Sequence, residues 1–386
     1  LQGVRNELSH QNVSIEKWPQ FELKISHLDD IESRIHISID GWSIDGWSYQ
    51  ILFYELHQLY LNPEIKLPAI KISFRDYVLQ LKKIENSTFY QNHLEKWKER
   101  LKVLPKAPQL PMNTKKANTN RFKRWEYFIN KEQYTSLKKY ASDKSLTTVS
   151  TLLSAYAWVL SRYSKEHNIT INIPRFNRLP LHADINRVIG EFASFTLLAC
   201  TRDKDTTFSQ YANTIQKQLW EDVENPWVPG VTLLRELAKI TNQSNVVMPF
   251  VFTNMPEESL DGKKLEFLND WSKSADIPYF LTQTPQVQID CQYHDKDDGM
   301  FVFWDVLIDK FEANVIDDLF SSYVDLLQNL SSSNSTWEQN SLPIKKNSTL
   351  IAKEIDIPKQ SLYKQFSNTV KKYKTLKNRR DICDFC

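Results

Sequence analysis

Two aspartates five residues apart could carry proton chemistry in this chain. Asp40 and Asp45 close the stretch Arg34-Ile-His-Ile-Ser-Ile-Asp40-Gly-Trp-Ser-Ile-Asp45-Gly. Arg34 to Asp40 alternates at period two, with Arg34, His36, Ser38 and Asp40 on one face and Ile35, Ile37 and Ile39 on the other, which predicts a half-buried strand. Ile51, Leu52, Leu56 and Leu59 then fall on one side of a helix. The pattern predicts a strand-to-helix turn with two carboxylates at its rim, and a carboxyl held there can give or take a proton. Asp45 also suits a helix N-cap, Asp40 suits an ion pair with Arg34, and His36 reads as structural.

A second group lies far downstream. On a strand expected over Gln283–Gln292, Thr284, Gln286, Gln288 and Asp290 share one face, and Pro285, Val287, Ile289 and Cys291 the other. On the next, Met300–Ile308, Asp305 shares a face with Phe301 and Phe303 while Val302, Trp304 and Val306 oppose them. An apolar wall beside Asp305 would raise its pKa towards values useful to an acid or base. A strand-end aspartate in a salt bridge is the competing reading. Thr284 could relay a proton or hold a departing hydroxyl, and the amides of Gln286 and Asn177 could orient a carbonyl. Cys291, on the apolar face, reads as core.

The elements that must position these groups can be followed along the chain. Residues 1–31 are polar and loop-like apart from a short strand at Phe21–Ile25. Residues 73–102 read as helix interrupted near Asn86-Ser87, and Pro105, Pro108 and Pro111 mark a linker. A strand at Arg124–Ile129, a helix at Lys131–Ala141 and a long apolar helix capped by Thr147 or Thr148 follow. Strands at Ile169–Pro174, Phe192–Cys200 and Val246–Thr253 alternate with helices at Phe208–Val223 and Val231–Ile240, and a helix over Phe311–Leu330 ends the globular pattern. The fold class is therefore α/β. The expected organisation is a first lobe over 1–104, a Pro-rich linker over 105–115, a second lobe over 116–340, and a linker or the start of a neighbouring domain over 341–386.

Composition narrows the partners. Lys+Arg 49 against Asp+Glu 47 leaves no global charge for nucleic acid or an anionic membrane, and no run is long and apolar enough to span a bilayer. Seven glycines with no Gly-rich phosphate motif speak against a nucleotide loop. Four cysteines do not suggest a disulfide framework, which favours a reducing cytoplasm, and the lone Cys383-Asp-Phe-Cys386 lacks the second pair that zinc needs.

Further segments, in order, give the aspartate pair its meaning. Ser154-Ala-Tyr-Ala-Trp-Val-Leu160, Phe176-Asn-Arg-Leu-Pro-Leu-His182, Gly190-Glu-Phe-Ala-Ser194, Gly230-Val-Thr-Leu-Leu-Arg-Glu236, Gln283-Thr-Pro-Gln-Val-Gln-Ile-Asp290 and Phe303-Trp-Asp305 follow the turn. Over roughly 10–340 the chain resembles the heterocyclization domains of nonribosomal peptide synthetases, a branch of the condensation-domain family. Condensation domains carry His-His-x-x-x-Asp-Gly at this turn. Aligning Asp45-Gly46 with the end of that motif puts Asp40 and Gly41 where the histidines would stand, and Asp-x-x-x-x-Asp is the heterocyclization pattern.

The resemblance implies two αβ lobes like those of chloramphenicol acetyltransferase around a tunnel, with about a hundred residues of the first lobe absent from this stretch. It implies that a carrier-bound Cys, Ser or Thr is acylated by an upstream thioester and then cyclodehydrated to a thiazoline or oxazoline. Asp305 and Thr284 are then the first candidates for catalysis and Asp40 and Asp45 secondary ones, with Asn177, Gln286 and Ser194 binding substrate. No metal and no directly bound cofactor are expected. The implied partners are upstream and downstream peptidyl carrier domains, whose 4′-phosphopantetheine holds the substrates, and an adjacent adenylation domain; a siderophore or peptide antibiotic would be a typical product. Plain amide-forming condensation, or a truncated remnant that only docks carriers, are the alternatives.

Overall fold

The computed structural model describes residues 1–11, 14–30, 32–113, 121–254, 284, 286–296, 298–312 and 314–341. The sequence around Cys383 and Cys386, Gln283 and Pro285 lie outside them. Two compact units divide at Ser43 and Ile44, and not at the prolines of 105–115.

The smaller unit pairs helix α1 (Gln2–His10) with a hairpin of β1 (Phe21–His27) and β2 (Ser33–Ile39). The strand at 33–39 was legible, but its covered face is the reverse of the expected one. Helix α1, which the polar composition hid, lies on the polar face: Ser38 Oγ donates to the Leu8 carbonyl at 3.2 Å and Lys24 pairs with Glu7 at 2.6 Å. His36 is buried on that side, while Ile35, Phe21, Leu23 and Ile25 are exposed.

The larger unit opens with α2 (Gly46–Leu61), α3 (Phe74–Glu85) and α4 (Thr88–Leu101). The break at Asn86-Ser87 sets the C-cap of α3, Asn86, against the N-cap of α4, Ser87, which accepts from the Tyr90 N–H; at its other end α3 is started by a capping box on Ser73. There follow β3 (Phe122–Asn130), α5 (Lys131–Asp143), α6 (Thr148–Tyr163), β4 (Ile169–Phe176), β5 (Ala193–Cys200), α7 (Phe208–Glu224), α8 (Gly230–Thr241), β6 (Phe250–Thr253), β7 (Ile289–Lys296), β8 (Gly299–Leu307) and α9 (Val315–Ser332). The six strands form one mixed sheet in the order β3-β8-β7-β6-β4-β5, with β6 parallel to β4 and β7 and the other neighbours antiparallel.

Helix α6 is apolar nearly all round because it is central. It packs with α5, α7 and α9 on one sheet face, where Tyr156, Trp304 and Tyr323 stack edge-on or tilted within 6.4 Å of one another. Helices α4 and α8 cover the other face at the β5 edge, through Leu94, Trp97, Leu197, Leu233 and Leu237. Helices α3 and α4, expected in a first lobe, thus belong to the larger unit with the sheet.

Two expectations are corrected. Helix α2 buries Ser48, Ile51 and Phe53, leaving Leu52, Leu56 and Leu59 exposed, because bonds from its first turn to the Gly190 loop fix its rotation. The strand expected from Gln283 starts only at Ile289, because Gln286 adopts φ 71°, a left-handed conformation no strand can hold.

Candidate functional site

Asp45 does what its position before a helix predicts: Oδ1 accepts from the Ser48 N–H at 2.7 Å. The same oxygen receives Arg178 Nη2 at 2.9 Å, in an ion pair whose side chains are 0% and 4% exposed. Arg178 also donates to Ser48 Oγ and to the carbonyls of Ile185 and Val188, and its guanidinium lies 3.9 Å over the Phe192 ring. Ser48 Oγ exchanges hydrogen bonds with the Gly190 backbone at 2.8 and 3.0 Å. Asp45 therefore pins α2 to the turn after β4. Glu191 beside it is pushed up to about 7 by burial first and then by the Asp45 charge.

Replacing Asp45 by Asn keeps a cap but leaves Arg178 without its carboxylate. Urea denaturation should show a loss of about 3 kcal/mol, the lower end for a broken buried pair because carbonyl acceptors remain.

Asp40 caps its own turn: Oδ1 accepts from the Trp42 N–H at 3.1 Å, and its carbonyl accepts from the Ser43 N–H and Oγ. The expected pair with Arg34 is not formed, since Arg34 reaches Glu32 at 3.2 Å. His36 bonds Ser26 at 3.0 Å, and its pKa is lowered by burial first and then by the N-terminus, Arg5 and Arg34.

The downstream residues sort differently from expectation. Thr284 and Gln286 are exposed, in a turn closed by the Val287 N–H on the Thr284 carbonyl, so neither stands on a strand face beside Asp305. Asn177 is buried, held by its backbone to Tyr77 and Phe192, with its Oδ1 unpartnered among the described residues. Ser194 Oγ accepts from the Gly230 N–H at 3.2 Å, at the start of α8.

Asp305 is fully buried, and both its oxygens accept from Arg124, at 2.7 Å from Nε and 2.6 Å from Nη2. The wall expected to be apolar is thus a cation: the Arg124 guanidinium lies 4.1 Å over Phe303, while Phe301 packs on Phe128.

The register sets Arg124, Asp305 and Asp290 directly opposite one another on β3, β8 and β7. Asp290 is the group this row singles out. Thr253 Oγ1 donates to its Oδ1 at 2.7 Å and Gln292 Nε2 to its Oδ2 at 2.8 Å. Burial pushes its carboxyl up to about 7, the Asp305 charge adds to the rise, and Thr253, Gln292 and Arg124 oppose it. A buried carboxyl near neutrality with two fixed donors can give a proton in one step and take one in the next. Thr253 and Arg124 were not singled out from sequence. The available signals were a hydroxyl ending the apolar run Phe250-Val-Phe-Thr253, and an aspartate between Ile289 and Cys291. Among the described residues no group of three His, Cys, Asp or Glu could hold a metal, and no helix is long and apolar enough to cross a membrane.

A mixed sheet carrying this row, with a buried Asp–Arg latch under the first helix of the unit, defines the class. The family described as Condensation domain matches residues 6–346, and the chain belongs to it. It is 32% identical over 328 residues to bacitracin synthase 1 of Bacillus licheniformis, covering 84% of this chain and 6% of the synthase. It is 31% identical over 340 residues to pyochelin synthetase PchF of Pseudomonas aeruginosa, covering 87% of this chain and 18% of that protein. Among solved structures, the EpoB cyclization-docking bidomain from Sorangium cellulosum aligns with a TM-score of 0.76 at 31% identity, over 87% of this chain and 67% of that one. The resemblance to the heterocyclization branch read from the sequence holds. The chain spans a small part of the synthetases it matches.

Proposed function

We propose that this chain is the heterocyclization domain of a nonribosomal peptide synthetase, with Asp290 as its acid and base. The observation that carries the reading is the buried Asp290 carboxyl, near neutrality, with Thr253 and Gln292 on its two oxygens. The amine of a carrier-bound Cys, Ser or Thr attacks the upstream acyl thioester and releases the upstream thiol. The side-chain thiol or hydroxyl then adds to the new amide carbonyl, forming a ring that carries a hydroxyl. Loss of that hydroxyl as water needs a proton on the departing oxygen and removal of the ring N–H proton. Neutral Asp290 supplies the first, and the carboxylate left behind accepts the second. Thr253 holds the carboxyl in place, and the Arg124–Asp305 pair sets its acidity. The sequence expectation of Asp305 as the acid is revised accordingly, and Thr284 has no part in this step. Asn177 remains a candidate to hold the carbonyl through its unpartnered amide oxygen and the N–H₂ beside it.

The substrates arrive on 4′-phosphopantetheine arms of peptidyl carrier domains, and an adenylation domain of the same synthetase loads the downstream one. A reconstitution with loaded upstream and downstream carriers, followed by intact mass, tests the reading. Cyclization removes one water more than amide formation. The heterocycle mass is expected with wild-type protein; an accumulating linear amide would make this a plain condensation domain, and no transfer at all a carrier-docking remnant.

A further inference from the structure

Helix α3 carries two stripes of different character. Tyr77 and Leu81 pack with Leu179, Ile185, Val188 and Phe192, while Asp76, Gln80 and Lys83 follow one another a turn apart along a second stripe. That second stripe lines a cavity of about 330 Å³ together with Lys71, from the segment ahead of the helix, and His182, from the turn after β4. The helix is also tied to the turn that holds Asn177: Tyr77 Oη donates to the Asn177 carbonyl at 2.6 Å and accepts from the Leu179 N–H at 3.2 Å.

Asp184 gathers two of the lining residues. Its Oδ2 accepts from the Lys71 N–H at 3.1 Å, and its own N–H donates to His182 Nδ1 at 3.0 Å. With Nδ1 an acceptor, the proton of the neutral ring sits on Nε2, which is left as a donor. Asp76 is the one carboxylate that lines the cavity, and the Ser73 N–H and Oγ both donate to its Oδ2, at 3.1 and 2.6 Å. Lys71 and Lys83 are exposed, and neither forms an ion pair among the described residues. The wall thus sets two ammonium groups against one carboxylate, a surplus of one positive charge. The surroundings lean the same way: residues 66–83 hold Lys66, Lys71, Arg75, Lys82 and Lys83 against Asp76 alone, in a chain with Lys+Arg 49 and Asp+Glu 47.

We propose that this cavity receives the phosphodiester of a carrier's 4′-phosphopantetheine arm, through the Lys71 and Lys83 ammonium groups and the His182 Nε2–H. The inference rests on the reading that carriers serve this chain, and it adds the place where the arm is gripped. A phosphodiester carries a single negative charge, which the surplus matches. Each lysine meets such a group as a point charge, and the imidazole N–H adds one directed hydrogen bond. Leu79, half in solvent, offers an apolar wall to the dimethyl carbon next to the phosphate. The volume lies at the small end of ligand sites, as a single headgroup requires.

Fluorescence anisotropy of the full chain with labelled upstream and downstream carrier domains, each in its apo form and with the arm attached, tests the proposal. One carrier is expected to bind about tenfold more tightly with its arm than without, as charge-assisted hydrogen bonds imply. Lys71→Gln/Lys83→Gln should erase that gain and leave the apo affinity as it was. Gln80→Glu adds an anion to the wall while both lysines stay, and it should do the same. These positions lie outside the core, so both variants should keep the melting temperature of the unsubstituted chain. Equal binding of apo and armed carriers by the unsubstituted chain, or an arm-dependent gain that survives in either variant, would overturn the proposal. So would a loss as large for the apo carriers, which would make the lysines a general contact with an acidic surface. The two readings fail separately. Heterocycle formation without any arm-dependent gain removes the grip and keeps the cyclization reading, whereas an arm-dependent gain without heterocycle formation does the reverse.

Discussion

Replacing Asp290 by Asn is expected to lower cyclodehydration by about 10²–10⁴-fold while making the domain more stable at neutral and basic pH. The amide cannot exchange a proton, so carrier-to-carrier amide formation should continue and the linear amide should accumulate. The stability gain follows from the direction of the shift. The folded carboxyl titrates at about 7, well above its ordinary value, because it is buried and faces the Asp305 charge. Between about pH 4 and 7 the folded chain therefore binds more protons than the unfolded one, so stability falls as pH rises through that window. About three pKa units correspond to roughly 4 kcal/mol once the carboxyl is ionised in both states. Asn removes that cost, less whatever is lost when the Gln292 amide rearranges. Urea denaturation at pH 5 and pH 8 should show the variant's advantage mainly at pH 8. Rapid cyclization by Asp290→Asn would take Asp290 out of the reaction, and a destabilised variant at pH 8 would contradict the raised acidity.

This pairing of costly burial with reactivity explains what the sequence could and could not show. The elements around the site were legible because their signals are local. Thr147 caps α6 as predicted, Ser87 interrupts α3–α4 where the Asn-Ser pair stands, and Val302, Trp304 and Val306 face the core by simple alternation. Which side of β2 is covered was not legible, because alternation gives two faces and only the docking of α1 chooses between them. The partners of the carboxyls were hidden for a related reason. Arg124 and Asp305 are 181 residues apart in the chain, and Thr253 and Asp290 37 apart, separations that no local period can bridge. Asp305 attracted attention because phenylalanines share its face, yet one of those rings carries the Arg124 guanidinium. A face shared in sequence says what is beside a group, not what lies opposite it in the sheet.

Asp305→Asn separates a proton-transferring Asp305 from one that only positions and tunes. The substitution leaves the Arg124 guanidinium, 12% exposed, without its carboxylate, and a loss of about 3–5 kcal/mol is expected in denaturant. Two electrostatic effects on Asp290 then act in the same direction. The Asp305 charge that raises it is gone, and the Arg124 charge that lowers it is no longer shared. The Asp290 carboxyl should become more acidic, so the limb of the cyclization profile that needs the protonated acid moves to lower pH. If Asp305 itself passed the proton, activity would collapse at every pH with the midpoint in place. The double variant Arg124→Met/Asp305→Leu completes the cycle, because it removes both charges and refills their volume with apolar atoms. It should regain much of the lost stability, since replacing a whole buried pair is often neutral where breaking one is not. Its profile should return towards that of the unsubstituted chain, because the raising and the lowering charge leave together.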